Sequence, residues 1–376
     1  MKKRLALISA ATSLLIAACS GGESDRNCVI DGTIEGWGDP DTLVLCIMTP
    51  LGNMPIDTAT VTEGKFTFDV SLDKEAMGMA LVIPIVNSES ATAFPVLIEP
   101  GAKFSMAIHS SPDKQPTFEG SRSNITLAAL EDEGYQINLE VNRLIETIQN
   151  PMSTEQQRVE ADQKIDSMNN KLIGSYISAI KDNAPSLFSD FLLGQVDRVI
   201  NDSIRADIIS ELSKKGGDEM PNFTRIKNHM LLLAQTEPGK HFTDFSQSDK
   251  DGNQIHLAEV VEANKLTLVD FWASWCAPCR AEMPFIVDAY EKYHGKGLEI
   301  IGVSLDENRE AWLNAVGALG MKWPQVSDLQ GWRNVAAQAY AVEAIPGNIL
   351  IGQDGIIVGK NLRGDDLAKK IDQILK

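Results

Sequence analysis

The hydrophobic and polar positions divide the chain into a strand-rich part, a helical part and a part in which strands and helices alternate. Over residues 28–120, short apolar runs alternate with polar residues, as in the stretch 65–70, and turn residues separate them, as at Glu99-Pro100-Gly101. Many short strands with frequent turns are typical of antiparallel sandwiches and small barrels. We therefore predict an N-terminal antiparallel β-sandwich-like domain over residues 28–120.

Over residues 121–235 the period changes, because apolar residues recur at steps of three and four, which is the spacing of one helix face. The stretch Ser153-Thr154-Glu155-Gln156 resembles a capping box and predicts a helix start. Helix-breaking dipeptides interrupt the pattern at Asn150-Pro151, Ala184-Pro185 and Gly216-Gly217. The sequence therefore predicts an α-helical connector of four helices over 121–235.

Over residues 236–376 strands alternate with helices. Strands are predicted at 266–272, 298–304 and 348–351, with a hairpin that ends at 360, and helices at 283–294, 309–319 and 365–375. This alternation is typical of an α/β sheet. We therefore predict a C-terminal α/β domain over 236–376.

The N-terminus has the features of a secretory signal peptide. Three basic residues at 2–4 precede an apolar run over 5–16, and small residues precede Cys19. The run is too short to span a bilayer, which needs about 20 residues. Ile16-Ala17-Ala18-Cys19 also looks like the lipobox of bacterial lipoproteins, in which the cysteine is acylated. We predict a signal peptide over 1–18 and a lipid-anchored tether over 19–27; the alternative is an ordinary cleavage site beside an unmodified cysteine.

The composition excludes one class of partner. The formal net charge is −18, and such a strongly acidic chain is a poor binder of phosphate backbones, so we expect no nucleic-acid partner. With 376 residues, of which 43% are hydrophobic, the chain is long enough for two or three domains with their own cores.

Five cysteines have to be assigned in an exported chain. Cys19 is the lipidation candidate, and Cys276 with Cys279 forms a CxxC pair. Cys28 and Cys46 remain, in two neighbouring strand-like runs. They form either a structural disulfide or two half-buried thiols that never meet, and the sequence leaves both alternatives open.

The CxxC pair carries the chemistry. A buried-strand run over 266–272 leads directly into Cys276, and a helix is expected to begin there. Unpaired backbone N–H groups at a helix start stabilise a thiolate, which predicts that Cys276 is the attacking sulfur. Cys279 lies one turn deeper and is placed to resolve a mixed disulfide, and Pro278 suits the first helical turn.

These residues resemble the thioredoxin fold and, within it, the membrane-tethered extracytoplasmic reductases of the TlpA and ResA type. The resemblance covers about residues 236–376 and rests on Trp275-Cys276-Ala277-Pro278-Cys279, which is similar to the WCxPC active site, and on Pro284, which matches a helix-kinking proline. Ile345-Pro346 stands where the family carries its cis-proline loop. Gly347 departs from the threonine usual after that proline. The order of a β-rich part, helices and this domain also looks like a family of Gram-negative lipoproteins.

The resemblance implies a set of site residues. Asp270 matches the buried acid beneath the cysteines and Glu282 an additional active-site glutamate, and both are expected to move the proton of Cys279. Their alternatives are a solvated strand-end carboxylate and an ordinary exposed helix residue. Trp275, Ala277 and Pro278, with the proline loop at Ile345 and Pro346, are expected to dock the substrate.

We therefore expect an enzyme, a thiol-disulfide oxidoreductase that reduces protein disulfides and uses no cofactor. Its expected partners are protein thiol or disulfide substrates and an upstream membrane thiol electron donor. The expected location is the cell envelope, lipid-anchored to a membrane and facing the periplasm. The sequence leaves the direction of exchange, and an isomerase activity in a dimer, open.

Three other interpretations fit the sequence less well. Structural zinc needs four ligands, and no second CxxC or short histidine pair exists, so no metal is expected. A thioredoxin-fold peroxidase of the AhpC/TSA type needs a PxxxTxxC context, which the residues before Cys276 lack. A cell-envelope binding module with a non-catalytic thioredoxin scaffold is disfavoured because both cysteines, Asp270 and Pro346 are present.

Overall fold

The computed structural model describes residues 26–36, 42–49, 52–73, 77–86, 92–111 and 114–376 with side chains, and residues 89–90 by their backbone. The predicted signal peptide, the lipobox with Cys19 and residues 19–25 of the tether lie outside this part of the chain. Among the helices of the described part, none combines the length and the apolar character needed to cross a membrane. The chain divides into two compact units, the first ending at Ile226 and the second beginning at Lys227.

In the first part of the first unit, the described residues form two β-sheets. Its strands are β1 (Asn27–Glu35), β2 (Thr42–Thr49), β3 (Gly52–Thr60), β4 (Lys65–Ser71), β5 (Gly78–Val86), β6 (Glu89–Ser90), β7 (Phe94–Ile98), β8 (Lys103–His109) and β9 (Thr117–Glu119). One sheet has the order β4-β1-β8-β9; the other has the order β3-β2-β5-β6, with β7 also paired to β5. Strands of both sheets bury alternate apolar residues in one shared core, for example Ile30, Phe68 and Val82.

The predicted antiparallel β-rich domain is confirmed. Two features of this domain were not predicted: β1 and β8 pair in parallel, and residues 52–60 form the strand β3. β3 carries no apolar alternation and contains Pro55, which is tolerated because β3 lies at the end of its sheet.

Cys28 and Cys46 are both free in the structure. Of the two alternatives for this pair, the structural disulfide is therefore wrong. Cys28 lies in β1 and Cys46 in β2, and these strands belong to different sheets. Both thiols are buried, and burial raises the pKa of Cys28 to about 11. A protonated, enclosed thiol is a poor partner for disulfide formation.

Helices complete the first unit: α1 (Arg122–Gln149), α2 (Glu155–Asp182), α3 (Leu187–Val196), α4 (Asp202–Lys214) and α5 (Pro221–Gln235), the last of which continues into the second unit. The helical connector is confirmed, but five helices replace the four predicted. The extra break lies between α3 and α4, where Arg205 bonds the buried Asp197 at 2.8 Å and Asn201 caps α4, without proline or glycine to mark it. The capping box is Thr154 with Gln157, one residue later than predicted.

The second unit is an α/β sheet with helices. Its elements are β10 (Ser246–Ser248), β11 (Gln254–His256), α6 (Leu257–Ala263), β12 (Leu266–Trp272), α7 (Ala277–Tyr293), β13 (Leu298–Ser304), α8 (Arg309–Ala318), β14 (Gln325–Val326), α9 (Val335–Ala339), β15 (Gly347–Gly352), β16 (Ile357–Lys360) and α10 (Gly364–Ile374). The five-stranded sheet has the order β14-β13-β12-β15-β16. β12 runs parallel to β13 and antiparallel to β15.

The central strand β12 is buried at all seven positions, which explains its continuous apolar run. Most predicted elements of this unit exist with ends shifted by a few residues. α7 begins at Ala277, where the CxxC motif predicts a helix start, whereas the apolar pattern alone predicted a start at 283. The short elements β10, β11, α6, β14 and α9 carried too little pattern to be predicted. The confirmed α/β fold places the CxxC pair where β12 ends.

Candidate active site

Cys276 and Cys279 lie where β12 passes into α7. Cys276 is the residue before the helix, and its sulfur accepts a hydrogen bond from the backbone N–H of Cys279 at 3.2 Å. The two sulfurs form a disulfide of 2.06 Å, and only 4% of Cys276 and 1% of Cys279 are exposed. In the reduced state the N–H groups and dipole of the helix start favour the thiolate of Cys276.

Asp270 is a fully buried carboxyl in the strand that leads to Cys276. Burial raises its pKa from 3.8 to about 7; the positive charge of Arg363 opposes this rise, and the negative charge of Glu282 adds to it. A carboxyl with a pKa near 7 can take up and release a proton at neutral pH. Of the two sequence alternatives for Asp270, the solvated strand-end carboxylate is wrong.

Glu282 lies in α7 and is half-buried. Its Oε1 accepts a hydrogen bond of 2.5 Å from the backbone N–H of Gly364, the first residue of α10. A carboxylate at a helix N-terminus satisfies an unpaired N–H and interacts favourably with the helix dipole. Glu282 therefore ties α7 to α10 while its charge acts on Asp270.

Arg363 was not predicted as a site residue. Its guanidinium donates hydrogen bonds to the carbonyl oxygen of Leu362, at 2.8 Å, and to the carbonyl oxygen of Pro346. Its charge also acts on Asp270. One side chain thus joins the start of α10, the proline loop and the buried carboxyl.

The peptide bond between Ile345 and Pro346 is cis. The register pairs Gly347 with Phe271, so Pro346 lies beside the end of β12 at the sheet edge from which the chain leaves toward Cys276. Gly347 is buried, and a Cβ added there would lie 3.3 Å from the carbonyl oxygen of Ala344. This tight contact means that a larger residue at 347 would require the loop to shift.

Asp306 holds the segment before the cysteines. This buried carboxylate accepts hydrogen bonds from the backbone N–H of Ser274 at 2.9 Å, the hydroxyl of Ser274 at 2.5 Å and the hydroxyl of Ser304 at 2.7 Å. It lies two residues beyond β13, the parallel neighbour of β12. The segment that carries Trp275 and Cys276 is therefore bonded to the adjacent strand end.

The rim of the site is exposed and partly aromatic. Trp275, Ala277 and Pro278 are exposed, with Trp275 at 56%. Trp332 lies beside Trp275 with a ring-centroid distance of 6.3 Å and is 47% exposed. The predicted docking residues Ile345 and Pro346 are half-buried.

Asp306, Arg363 and Trp332 were not predicted from the sequence as site residues. Asp306 had a usable signal, because side chains that follow neighbouring parallel strands meet at one sheet edge. Arg363 and Trp332 had none, since only the folded chain brings them to the motif.

A zinc site would need four ligands. Both sulfurs of the CxxC pair are bonded to each other. Within the ranges that the structure describes, no group of three or more His, Cys, Asp or Glu side chains is arranged to hold a metal ion.

The Cys276–Cys279 disulfide lies at the start of the helix that follows the central strand of the five-stranded sheet. This arrangement is typical of thioredoxin-fold thiol-disulfide oxidoreductases. Residues 215–375 match the family described as Redoxin, and residues 28–127 match a domain of unknown function, DUF4369. The chain is 30% identical over 154 residues to the thiol-disulfide oxidoreductase ResA of Bacillus thuringiensis subsp. konkukian, which covers 41% of this chain and 86% of the relative. It is 33% identical over 154 residues to ResA of Bacillus anthracis, with the same coverage.

The chain therefore belongs, through its C-terminal unit, to the ResA family of thiol-disulfide oxidoreductases. Among solved structures, a thiol-disulfide oxidoreductase from Bacteroides fragilis is 31% identical and covers 36% of this chain and all of its own, with a TM-score of 0.35. The family assignment rests on the sequence relatives and on the geometry of the cysteine pair.

Proposed function

We propose that this chain is a lipid-anchored reductase of protein disulfides in the cell envelope, with Cys276 as the attacking sulfur and Cys279 as the resolving sulfur. The observation that carries the proposal is the Cys276–Cys279 disulfide at the start of α7, preceded in β12 by a buried carboxyl, Asp270, with a pKa of about 7. Thiol-disulfide exchange itself follows from membership of the family. The reductase direction, the protein substrates and the location in the envelope are proposed here.

The first step is attack on the substrate. The Cys276 thiolate forms a bond to one sulfur of a substrate disulfide, the substrate S–S bond breaks, and the departing substrate thiolate takes up a proton. The exposed Trp275, Ala277 and Pro278 form one side of the docking surface, and the loop at Ile345 and Pro346 offers backbone groups to an extended segment.

The second step is resolution. Cys279 loses its proton to Asp270 and attacks the Cys276 sulfur, so the mixed disulfide breaks and the second substrate sulfur leaves as a thiolate that is then protonated. Two electrons pass from the dithiol to the substrate, which leaves Cys276 and Cys279 oxidised. Glu282 supports this step through its charge on Asp270 and its bond to Gly364.

An upstream donor must then return two electrons to the pair. A membrane thiol protein at the envelope side suits this task, because the sequence of the N-terminus predicts export and acylation at Cys19. The reductase direction is supported by Ala277-Pro278 between the cysteines and by Glu282, both features of the reductases that the motif resembles.

The test is insulin reduction with dithiothreitol. Wild type should catalyse turnover, Cys276→Ser should abolish it, and Cys279→Ser should accumulate mixed disulfides. The midpoint potential of the pair should lie nearer that of thioredoxin, about −270 mV, than that of the oxidant DsbA, about −120 mV. A potential near the oxidant value would reject the reductase direction while leaving exchange itself intact.

The location needs a separate experiment. Cells that express wild type and Cys19→Ser should be grown with labelled palmitate. Label and membrane association should be found in wild type alone, and a labelled Cys19→Ser protein would contradict acylation at this residue.

A further inference from the structure

The active-site rim includes a second tryptophan that the mechanism does not use. Trp332 is 47% exposed, and its ring centroid lies 6.3 Å from that of Trp275. Val335, three residues later, is 61% exposed. Large exposed apolar side chains that are grouped on one surface mark sites of interaction. We call the pair of Trp275 and Trp332 the aromatic patch.

The backbone under this patch is rigidly held. Asn334 is fully buried and exchanges hydrogen bonds of 3.0 and 3.3 Å with the buried side chain of Gln247. The carboxylate of Asp328 accepts from the Asn334 side chain and from the backbone N–H of Val335, both at 2.9 Å. Trp332 is therefore presented to solvent by an ordered loop, and little ordering entropy is lost when a partner contacts it.

Thiol-disulfide exchange at Cys276 requires a substrate protein to contact the patch. A substrate disulfide has to reach Cys276, a residue that is 4% exposed, and Trp275 is its exposed neighbour in the chain. We therefore expect a bound substrate segment to lie beside Trp275. Two residues of an extended segment span about 7 Å. That reach is similar to the distance from the Trp275 ring to the Trp332 ring. A side chain within about two positions of the substrate cysteine can therefore lie on both rings.

On the basis of the proposed function, we propose that Trp332 is a specificity-determining residue for substrate segments that carry an aromatic or large apolar side chain within two residues of the reactive cysteine. Aromatic rings pack on tryptophan in stacked or edge-to-face geometry, which a small polar side chain does not reproduce. The occupant of the patch is thus an extended piece of a substrate protein.

The experiment uses symmetrical disulfide dimers of short peptides, each peptide with one cysteine. Two peptides differ only at the positions two residues before and after the cysteine, which are Phe in one and Ser in the other. Wild type should reduce the Phe peptide with a kcat/KM about tenfold higher, mainly through KM, as expected for one well-packed aromatic contact.

Trp332→Ala should lose this preference, and Trp332→Phe should keep most of it. Ile374→Ala is the matched control, because Ile374 is also an exposed apolar residue of this unit. Ile374 ends α10 and lies roughly 15 Å along that helix from Gly364, which bonds Glu282. Glutathione disulfide, which carries no apolar flank, should be reduced at the same rate by all four proteins.

Three results would overturn the inference. The preference for the Phe peptide could persist in Trp332→Ala, or wild type could show none. Sedimentation could also reveal a wild-type dimer that Trp332→Ala dissociates, which would make the patch a contact between copies. A lack of Cys276-dependent turnover with every substrate would instead reject the proposed function itself, and the inference with it.

Discussion

Arg363 donates a hydrogen bond to the backbone carbonyl of Pro346, and the charge of the same guanidinium lowers the pKa of Asp270. The proline loop and the buried carboxyl are therefore coupled through one side chain. Neither residue is near Arg363 in the sequence, so this coupling exists only in the folded unit.

Replacing Arg363 should shift the proton chemistry to higher pH. In Arg363→Gln the charge that opposes the raised pKa of Asp270 is lost, so this pKa should rise above its wild-type value of about 7. At pH 7 a smaller fraction of Asp270 is then ionised. Turnover should fall about tenfold, which is less than the fall expected when a general base is removed completely. Carboxyl carbon NMR of Asp270 measures the shift directly. Lys369→Gln, on the exposed side of α10, should leave it unchanged.

Replacing Glu282 should shift the pKa of Asp270 in the opposite direction. Its negative charge raises the pKa of Asp270, so in Glu282→Gln this pKa should fall, and the activity profile should move to lower pH. The glutamine oxygen can still accept from the N–H of Gly364, so the free energy of unfolding should stay near that of wild type. Glu282→Ala loses this acceptor and should be less stable by about 1 kcal/mol. Equal profiles for wild type and Glu282→Gln would contradict the coupling.

Asp270→Asn should stabilise the oxidised protein at high pH. The folded state binds the Asp270 proton more tightly than the unfolded chain, since its pKa is about 7 instead of 3.8. The stability of wild type is therefore complete below pH 3.8 and decreases as the pH rises to about 7. One pKa unit corresponds to about 1.4 kcal/mol, so the loss approaches about 4 kcal/mol, and Asp270→Asn should avoid it.

Guanidinium unfolding at pH 4 and pH 8 measures this difference. Turnover of the same variant should fall about a hundredfold, because the proton acceptor is gone. Asp288→Asn, an exposed carboxyl on α7, is the control and should follow wild type. Identical unfolding midpoints for wild type and Asp270→Asn at both pH values would be incompatible with a buried carboxyl of raised pKa.

Asp306 should be needed for the placement of the nucleophile. Asp306→Ala leaves the N–H and hydroxyl of Ser274 and the hydroxyl of Ser304 without their acceptor, which should cost about 2 to 4 kcal/mol. Ser274→Ala loses only the hydroxyl bond and should cost about 1 kcal/mol. Thermal unfolding measures both, and the thiol reactivity of Cys276 toward a chromogenic disulfide should fall only in the first variant.

Alkylation should distinguish the cysteines of the reduced protein. At pH 7 iodoacetamide should modify Cys276 first, since a helix start favours its thiolate. Cys28 should react slowest, because burial raises its pKa to about 11, and burial also raises the pKa of Cys46. Mass spectrometry of quenched samples follows each site, and unfolding in guanidinium should remove the differences. Labelling of Cys28 as fast as Cys276, or a Cys28–Cys46 crosslinked peptide, would contradict this order.

The local part of the site followed from the sequence. A strand, the CxxC and a helix start are contiguous between residues 266 and 293, so the spacing alone placed Cys276 at the helix N-terminus. The β-rich, helical and α/β character of the three regions also followed, because each has its own periodicity. The predicted bounds 28–120, 121–235 and 236–376 stay a proposal.

Other features depended on three-dimensional packing. The break between α3 and α4 depends on the buried pair Asp197 and Arg205, and the separation of Cys28 from Cys46 depends on which sheet each strand joins. No proline or glycine marks the break, where Asn201 caps α4, and the separation of the two cysteines follows from pairing between strands that are distant in the sequence.

By itself, then, the sequence determined the order of most elements and the reactive pair, because these depend on neighbours along the chain and on periodic burial. Only the tertiary structure decided that Arg363 and Glu282 act on Asp270, that Asp306 bonds the segment before Cys276 and that Trp332 stands beside Trp275. The physical reason is that electrostatic shifts, hydrogen-bond networks and aromatic contacts depend on distances in space, which residue spacing does not specify.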